Sequence, residues 1–560
     1  MALLTADSTW ELVEARAAAS PDDLAVVDEH RRCLTFRELR DRAEEAAAGL
    51  RELGVRPGSV VSWQLPNTIE TVAVCLALSR LGAVQNPLIM MLREREITFI
   101  CRQTGSELLL VPSSVRGVDH AAMARAVAAT LPGLAVHVVD SASPGELEPP
   151  GKAEPPGKLA SPGELEPPGE LASPGELEPP GELEPPGKAE PPAAAEPADG
   201  PGAGPSGGGP VRWIFYTSGT TSDPKGARHT DRGLLAASST FCEHLAVVPT
   251  DRLPILLPIS HIGGIAHLLT GLQAGCGVIV SSGFDPETTP AALAAAGMTL
   301  VGSGTQMLQT YLARQRRQPD VPLFPLARAA LCGGAGRPVA LHFEVKELLG
   351  GVGVISGYGL TECPFVTWGR HDDTDSQHAS TEGCAGLDVE IVVMLDDATP
   401  AVAGEVGEIR VRGPQLMVGY VDATADRDAF DAKGFLRTGD LGTLDEDGYL
   451  RITGRIKDVI IRKGENISAR ELEELLIDHP AVGEVSIVGL PDASSGERVC
   501  AVVVPAESVA PPDLAALCAH LRAQGLNIRK LPEQLELVPE LPRNAMGKVV
   551  KRDLRARFAR

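Results

Sequence analysis

The sequence predicts an α/β fold in which a large N-terminal body, with helices covering a largely parallel sheet, is followed by a small α+β domain. Three observations carry this. Before residue 142, apolar residues at helical spacing alternate with short strand-like runs, the order that lays helices over parallel strands. The apolar run "VRWIFY" (211–216) leads straight into a loop of glycines and hydroxyls, and open α/β sheets bind ligands at such carboxyl ends of strands. After about residue 440 the pattern changes, leaving about a hundred residues for a separate small domain.

Along the chain, Ser8 and Glu11 have the S-x-x-E spacing of a helix capping box. The stretch 34–54 carries leucine and alanine at helical spacing and stops at Gly54. "GSVVSWQLPN" (58–67) reads as a strand leaving a turn, and "TVAVCLALSRLG" as a helix ending near Gly82. Towards the C-terminus "DVII" reads as a strand, followed by a polar glycine turn and a helix starting at Ser468. Ser468 and Glu471 form a second capping box, and Leu472, Leu475 and Leu476 an apolar stripe. "VGEVSIVGLPD", "RVCAVVVP" and "DLAALCAHLRAQ" complete the small domain.

One segment belongs to neither part. From Pro144 to Pro191 the chain is eight consecutive hexapeptides of the type P-G-[EK]-[LA]-[EA]-[PS], and a Gly/Pro/Ala-rich tail continues to Pro210. A β-helix needs apolar side chains stacking in a core, and a proline in every rung would remove ladder donors. Eleven Glu against three Lys make the tract a solvated, polyproline-like linker that carries about a third of the net charge. The expected division is therefore 1–142 and 211–455 for the large domain, 143–210 for a disordered insertion, and 456–560 for the small domain.

Bulk properties exclude several functions. A formal charge of -23 over 560 residues argues against a nucleic-acid surface. No apolar run reaches the roughly 18–20 residues of a membrane span, and the N-terminus has no signal-peptide pattern. Ten cysteines without a C-x-x-C pair fit reduced thiols and give no zinc signature. A soluble cytoplasmic protein is the expectation.

The chemistry gathers in five stretches. "YTSGTTSDPKG" (216–226) offers hydroxyls, glycine-freed amides and Lys225 to a phosphate chain, but Pro224 before Lys225 and Gly226 after it rule out a Walker loop. "SGYGLTEC" places Tyr358, Gly359, Thr361 and Glu362 together: a ring for a base, and a hard carboxylate for Mg²⁺. Asp440 in "RTGDLG" can accept ribose hydroxyls, and Arg455 lies in "GRIKD". Lys548 follows Gly547 near the C-terminus. Each has a plain structural alternative: a Ser/Thr-rich turn, a packed tyrosine, a turn-capping aspartate, a solvated lysine.

In this order and spacing, the stretches resemble the acyl-adenylate-forming superfamily of acyl-CoA synthetases, adenylation domains and firefly-type luciferases; the resemblance covers all but the repeat. It implies a large multi-sheet N-terminal adenylate-forming domain and a small mobile α+β C-terminal domain. It also implies roles. Thr217, Ser218, Gly219, Thr220, Thr221 and Lys225 match the loop that handles the β- and γ-phosphates of ATP. Gly334, Ala335 and Tyr358 match the adenine site. Glu362 and Thr217 match the magnesium ligands, and Asp440 and Arg455 the ribose contacts. Lys548 matches the adenylating lysine and Lys457 the hinge. Lys463 and Gly464 of "KGEN" match the loop presented for thioester formation, and His261 the divider between acyl pocket and thiol channel.

Two departures stand out. Ser222 replaces a customary glycine, and "EGCAGLDVEIVV" lacks the prolines the family commonly carries there. Ile262 occupies the place where amino-acid-activating members put an aspartate, which disfavours an ammonium-bearing substrate. The resemblance thus implies a free-standing acyl-CoA synthetase using ATP, Mg²⁺ and coenzyme A, on a fatty, alicyclic or aryl acid met by small apolar linings in "HIGGIAHL" and "VGSGTQM". A homodimer is compatible with this. The alternatives are an acyl-AMP ligase loading a carrier protein, a luciferase-like oxygenase, or a non-enzymatic scaffold built on the repeat. Deleting residues 144–191 is expected to leave folding and acyl-CoA synthesis nearly intact, because the tract has no apolar face to bury. A large drop in melting temperature or turnover of the deletion would show the tract to be structural.

Overall fold

Apolar strands bounded by glycine turns build the central sheet of the protein. In the computed structural model, which describes residues 3–139, 208–217, 224–302, 304–334, 337–462, 465–492, 494–507, 509–544 and 547–559, this sheet has seven strands. Ala135–Val138, Leu108–Val111, Val60–Trp63, Val84–Pro87 and Val211–Thr217 run parallel, and Lys225–Thr230 and Gly419–Tyr420 are added antiparallel at one edge. Trp63 and Trp213 are fully buried within it. The helices Phe36–Glu52 and Ile69–Arg80 share its largest core cluster. All described residues belong to one compact unit, and the expected insertion 143–210, with its repeat tract, lies outside the described residues apart from its last three positions.

Two further sheets, each mixing parallel and antiparallel pairs, complete the large body. One joins Arg252–Ile255, Gly277–Val280, Leu24–Asp28 and Cys33–Thr35; the other joins Leu300–Val301, Ala329–Gly333, Val354–Tyr358, Thr367–Trp368 and Cys384–Ala385. A four-stranded antiparallel sheet follows, Glu390–Met394, Gly407–Arg412, Leu436–Leu444 and Leu450–Arg455. Its buried Arg410 is paired to Asp397, Glu408 and Asp431, so the cation is not left alone in the interior.

The C-terminal sheet begins just past a short 3₁₀ turn, Ile456–Asp458. Val459–Arg462 pairs with Glu465–Ser468, and the long Val482–Asp492 and Gly496–Pro505 strands form a hairpin over helix Ala469–Leu476. Ser468 is the N-cap of that helix, accepting from the Glu471 amide, and Leu472 and Leu476 are buried as the stripe predicts. The mixed α/β, multi-sheet architecture with a small C-terminal domain is the one expected.

Local boundaries differ in two places. The helix predicted from residue 34 starts at Phe36, because Thr35 caps it through a reciprocal capping box with Glu38, while Cys33–Thr35 pairs as a strand. The strand predicted over 58–67 shrinks to Val60–Trp63: Gly58 is in a left-handed turn, and Asn67 turns away to bond the backbone at Ile255, Leu257 and Ile259.

One long-range contact fixes a helix that matters below. Arg16 is fully buried and donates from Nε to the Leu272 carbonyl at 2.7 Å and from Nη2 to the Gln273 carbonyl at 2.6 Å. These carbonyls end helix Ile262–Ala274, where a cation suits the exposed acceptors. Gly275 closes the helix in the left-handed region, and a side chain there would meet the guanidinium at 2.7 Å.

Candidate functional site

The site forms where the carboxyl ends of two sheets face the C-terminal residues. In the central sheet, Thr217 ends one strand and Lys225 begins the next, and the two are direct partners in the ladder. The loop between them, including Ser218, Gly219, Thr220, Thr221 and Ser222, lies outside the described residues. Gly226 sits opposite Tyr216, whose ring would lie 2.8 Å from any added Cβ, so the strands close only with glycine there.

The Lys225 ammonium stands 5.1 Å from the centroid of the Tyr420 ring. The Tyr420 hydroxyl donates to Glu362 Oε1 at 2.7 Å, and burial together with that carboxylate pushes the phenol's pKa up. Lys225, Tyr420 and Glu362 thus form one connected set, brought together by the register Ala227 to Tyr420. Glu362 is held from its backbone too, since its carbonyl accepts from the Met417 amide at 2.8 Å. Next to it, the Thr361 carbonyl is bonded to Nε2 of His229 at 2.8 Å. Gly359 permits the tight turn before them: a Cβ there would lie 2.6 Å from the Phe365 amide nitrogen.

A second set surrounds Asp440. The Tyr358 hydroxyl donates to its Oδ2 at 2.7 Å, and Arg455 Nε to its Oδ1 at 2.6 Å. Asp440 and Arg455 are cross-strand partners, so strand pairing itself aligns the ion pair. Tyr358 is buried, and its pKa is driven well up by burial and by the Asp440 charge. Each Asp440 oxygen keeps a further lone pair for another donor.

Lys548 reaches over Gly334, a left-handed residue at the end of strand Ala329–Gly333; a Cβ on Gly334 would lie 3.9 Å from the lysine Cε. Its turn is tied down by the Asn544 side chain, which accepts from the Lys548 amide at 3.0 Å, and by Arg543 donating to the Gly547 carbonyl at 2.6 Å. Gly547 abuts Gln306 of the predicted pocket lining. Lys548 is exposed to solvent by surface area, while the protein atoms gathered around it lower its pKa, chiefly by desolvation. Arg455 and Lys457 lower it further, while Asp440 and Glu362 oppose them. Three cations therefore converge beside two carboxylates, a balance that favours an added polyanion.

His261 caps helix Ile262–Ala274, its Nδ1 accepting from the Gly263 amide at 3.1 Å. Burial, the Lys548 charge and His267 hold its pKa down to about 4, which keeps the ring neutral. Gly264 is required behind it, because a Cβ would lie 2.5 Å from the Pro258 carbonyl. Ala335, Lys463 and Gly464 lie outside the described residues. Tyr420 was not singled out from the sequence, and Gln306 only as part of the candidate lining "VGSGTQM". Nothing local marks Tyr420, whose place depends on a pairing across 193 positions.

This arrangement, with a lysine from a turn of the C-terminal domain poised over the end of a parallel strand, is the architecture of adenylate-forming enzymes. Residues 13–421 match the family described as AMP-binding enzyme, and residues 471–548 match the AMP-binding enzyme C-terminal domain. The chain belongs to the AMP-binding enzyme family. It is 34% identical over 542 residues to a 3-[(3aS,4S,7aS)-7a-methyl-1,5-dioxo-octahydro-1H-inden-4-yl]propanoyl:CoA ligase of Mycobacterium tuberculosis, covering 96% of each chain. It is 28% identical over 541 residues to a medium-chain fatty-acid–CoA ligase of Escherichia coli, covering 96% of this chain and 88% of the other. Among solved structures, ATP-bound MatB from Rhodopseudomonas palustris superposes with a TM-score of 0.78 at 26% identity, over 98% of this chain and 99% of that one. Among the described residues, no helix is long and apolar enough to cross a membrane.

The histidines give the site a pH signature. His229, His261 and His267 each have a folded pKa of about 4, mainly through burial, against 6.5 ordinarily. The unfolded chain therefore binds more protons between these values, and stability is complete above about pH 6.5 and lost as pH falls toward 4. Melting temperature is expected to fall measurably between pH 7 and pH 5, and His267→Phe to flatten that slope. An unchanged slope in the variant would show that His267 does not contribute.

Proposed function

We infer that this chain is an AMP-forming carboxylic acid–CoA ligase acting on a fatty, alicyclic or aryl acid. The observation that carries the reading is Lys548 held over Gly334, in the combined field of Glu362, Asp440 and Arg455. Family membership and relatives that are CoA ligases over nearly their whole length support it.

In the first half-reaction, a carboxylate oxygen of the acid attacks the α-phosphorus of ATP. The bond to the β-phosphate oxygen breaks, leaving acyl-AMP and pyrophosphate. Lys548, Arg455 and Lys225 offset the charge that gathers on the phosphates, acting within a partly desolvated cleft where such contacts count most. Thr217, Ser218, Gly219, Thr220, Thr221 and Lys225 hold the departing phosphates; Gly334, Ala335 and Tyr358 border the adenine; Asp440 and Arg455 take the ribose. Lys457 serves as the hinge. In the second half-reaction, the thiol sulfur of CoA attacks the acyl carbonyl and AMP leaves, the thiol proton passing to solvent. Lys463 and Gly464 are presented at that stage, and neutral His261 bounds the acyl side without adding charge.

The donors present fit Mg²⁺ arriving with ATP. Among the described residues no group of three or more His, Cys, Asp or Glu forms a resident metal site, whereas Glu362 has one oxygen on Tyr420 and a second that accepts no bond there. Glu362 and Thr217 would hold the ion against the phosphates, where it supplies charge neutralisation.

A panel of carboxylic acids scored for AMP release with and without CoA tests the reading. AMP release that ignores CoA but responds to a carrier protein would favour the carrier-loading alternative. Lys548→Ala is expected to slow acyl-AMP formation by about 10²–10³, by analogy with the loss of one oxyanion donor. The same variant, given pre-made acyl-AMP and CoA, should form thioester at close to the normal rate. Equal losses in both halves would reject separate presentation of Lys548 and of residues 463–466. Glu362→Gln is expected to weaken pyrophosphate exchange at limiting Mg²⁺, and unchanged exchange would remove Glu362 from the metal.

A further inference from the structure

The loop that departs from the family's proline pattern meets the C-terminal domain. Glu382, at its start, faces helix Ala469–Leu476, and Arg470 in the first turn of that helix donates from Nη2 to Glu382 Oε1 at 3.2 Å. Arg470 Nε also binds Glu474 Oε1 at 2.7 Å, and Glu382 Oε2 accepts from the Ile452 amide at 3.0 Å. Both partners are mostly withdrawn from solvent, with side-chain exposures of 19% and 15%. One turn away, the Ser468 hydroxyl donates to the Thr453 carbonyl at 2.8 Å, a second tie across the same boundary.

Glu382 is also connected to the adenine side of the cleft. Arg337, three positions beyond Gly334, donates to the carbonyls of Ala379 at 2.9 Å and Thr381 at 3.2 Å, and also to the His378 carbonyl and the Ser356 hydroxyl. Its charge is felt together with those of Glu382 and Arg470. A run of contacts thus leads from Arg337 through residues 378–382 to the helix of the C-terminal domain.

We propose that Glu382 and Arg470 are positioning residues for the first half-reaction: their ion pair latches the C-terminal domain in the arrangement that places Lys548 in the cleft, and it opens when residues 463–466 are presented. This rests on the two-step ligase reading above. The pair is suited to repeated opening. On separation, Arg470 retains Glu474, and Glu382 retains the Ile452 amide and the nearby charge of Arg337. Neither is left as an uncompensated buried charge, the outcome that makes most buried pairs costly to break.

The test uses the full chain with an acid it turns over. Glu382→Gln keeps an acceptor for the Ile452 amide but removes the charge, and Arg470→Met keeps the stem over the helix. Each is expected to slow acyl-AMP formation about three- to fivefold, the scale of one partly exposed ion pair, while thioester formation from pre-made acyl-AMP is unchanged or faster. The double variant should be no slower than either single one, since both remove the same contact. Without substrates, hydrogen exchange of the segment 378–384 should speed up in both variants, and Arg470→Lys should restore part of the protection. Unchanged exchange, equal slowing of both half-reactions, or additive effects in the double variant would each overturn the latch. If the unaltered protein makes no acyl-AMP from any acid, the ligase reading fails instead, and the exchange measurement alone decides whether the pair holds the domain.

Discussion

A single buried carboxylate ties together the parts of this protein that must cooperate. Asp440 accepts from Tyr358, which belongs to one sheet, and from Arg455, its neighbour in another. Removing the carboxylate would leave a buried phenol and a guanidinium facing each other without an acceptor, so the two sheets are held at a fixed distance. Arg455 is the last residue before the turn at Ile456–Asp458, and the whole C-terminal sheet hangs from that turn. The contact that joins the two sheets therefore also borders the turn from which the C-terminal sheet hangs.

The electrostatics follow the same economy. Among the described residues no carboxylate forms an ion pair with Lys225; its charge rests on the face of Tyr420, which itself donates to Glu362, and it is felt by Asp422. The aromatic ring separates the cation from the carboxylate, so the two charges do not cancel each other directly. Lys548 is treated similarly, balanced by Asp440 and Glu362 at a distance and opposed by Arg455 and Lys457.

Features encoded within a few residues were legible in the sequence. The helix capped by Ser468, its Leu472 and Leu476 stripe, and the Val211–Thr217 strand running into its loop all follow from local spacing. The order of the motifs made the family legible, and the structure brings Tyr358, Asp440 and Arg455 of those motifs into direct contact. What escaped depends on residues far apart in the chain. Tyr420 enters through strand register, Glu382 meets Arg470 across 88 positions, and Arg16 reaches carbonyls more than 250 positions away. Thr35 and Glu38 were visible as a cap in principle, but the apolar run around them masked where the strand gave way to the helix. Periodicity reports which face is apolar and carries no information about which distant partner that face will meet.

Arg16 leads to a last consequence. Its guanidinium is satisfied by the carbonyl oxygens that end helix Ile262–Ala274, and among the described residues no carboxylate lies within ion-pair distance of it. Dissolved ions weaken charge pairs that they can reach, with a screening length of about 8 Å at physiological ionic strength, but a sealed charge resting on peptide dipoles is beyond them. The seat of His261, at the other end of that helix, should therefore be insensitive to added salt. The Glu382–Arg470 contact keeps partial access to water and has no such protection. Rising ionic strength would thus loosen the Glu382–Arg470 contact while leaving helix Ile262–Ala274 fixed, making salt a selective means of disturbing one without the other.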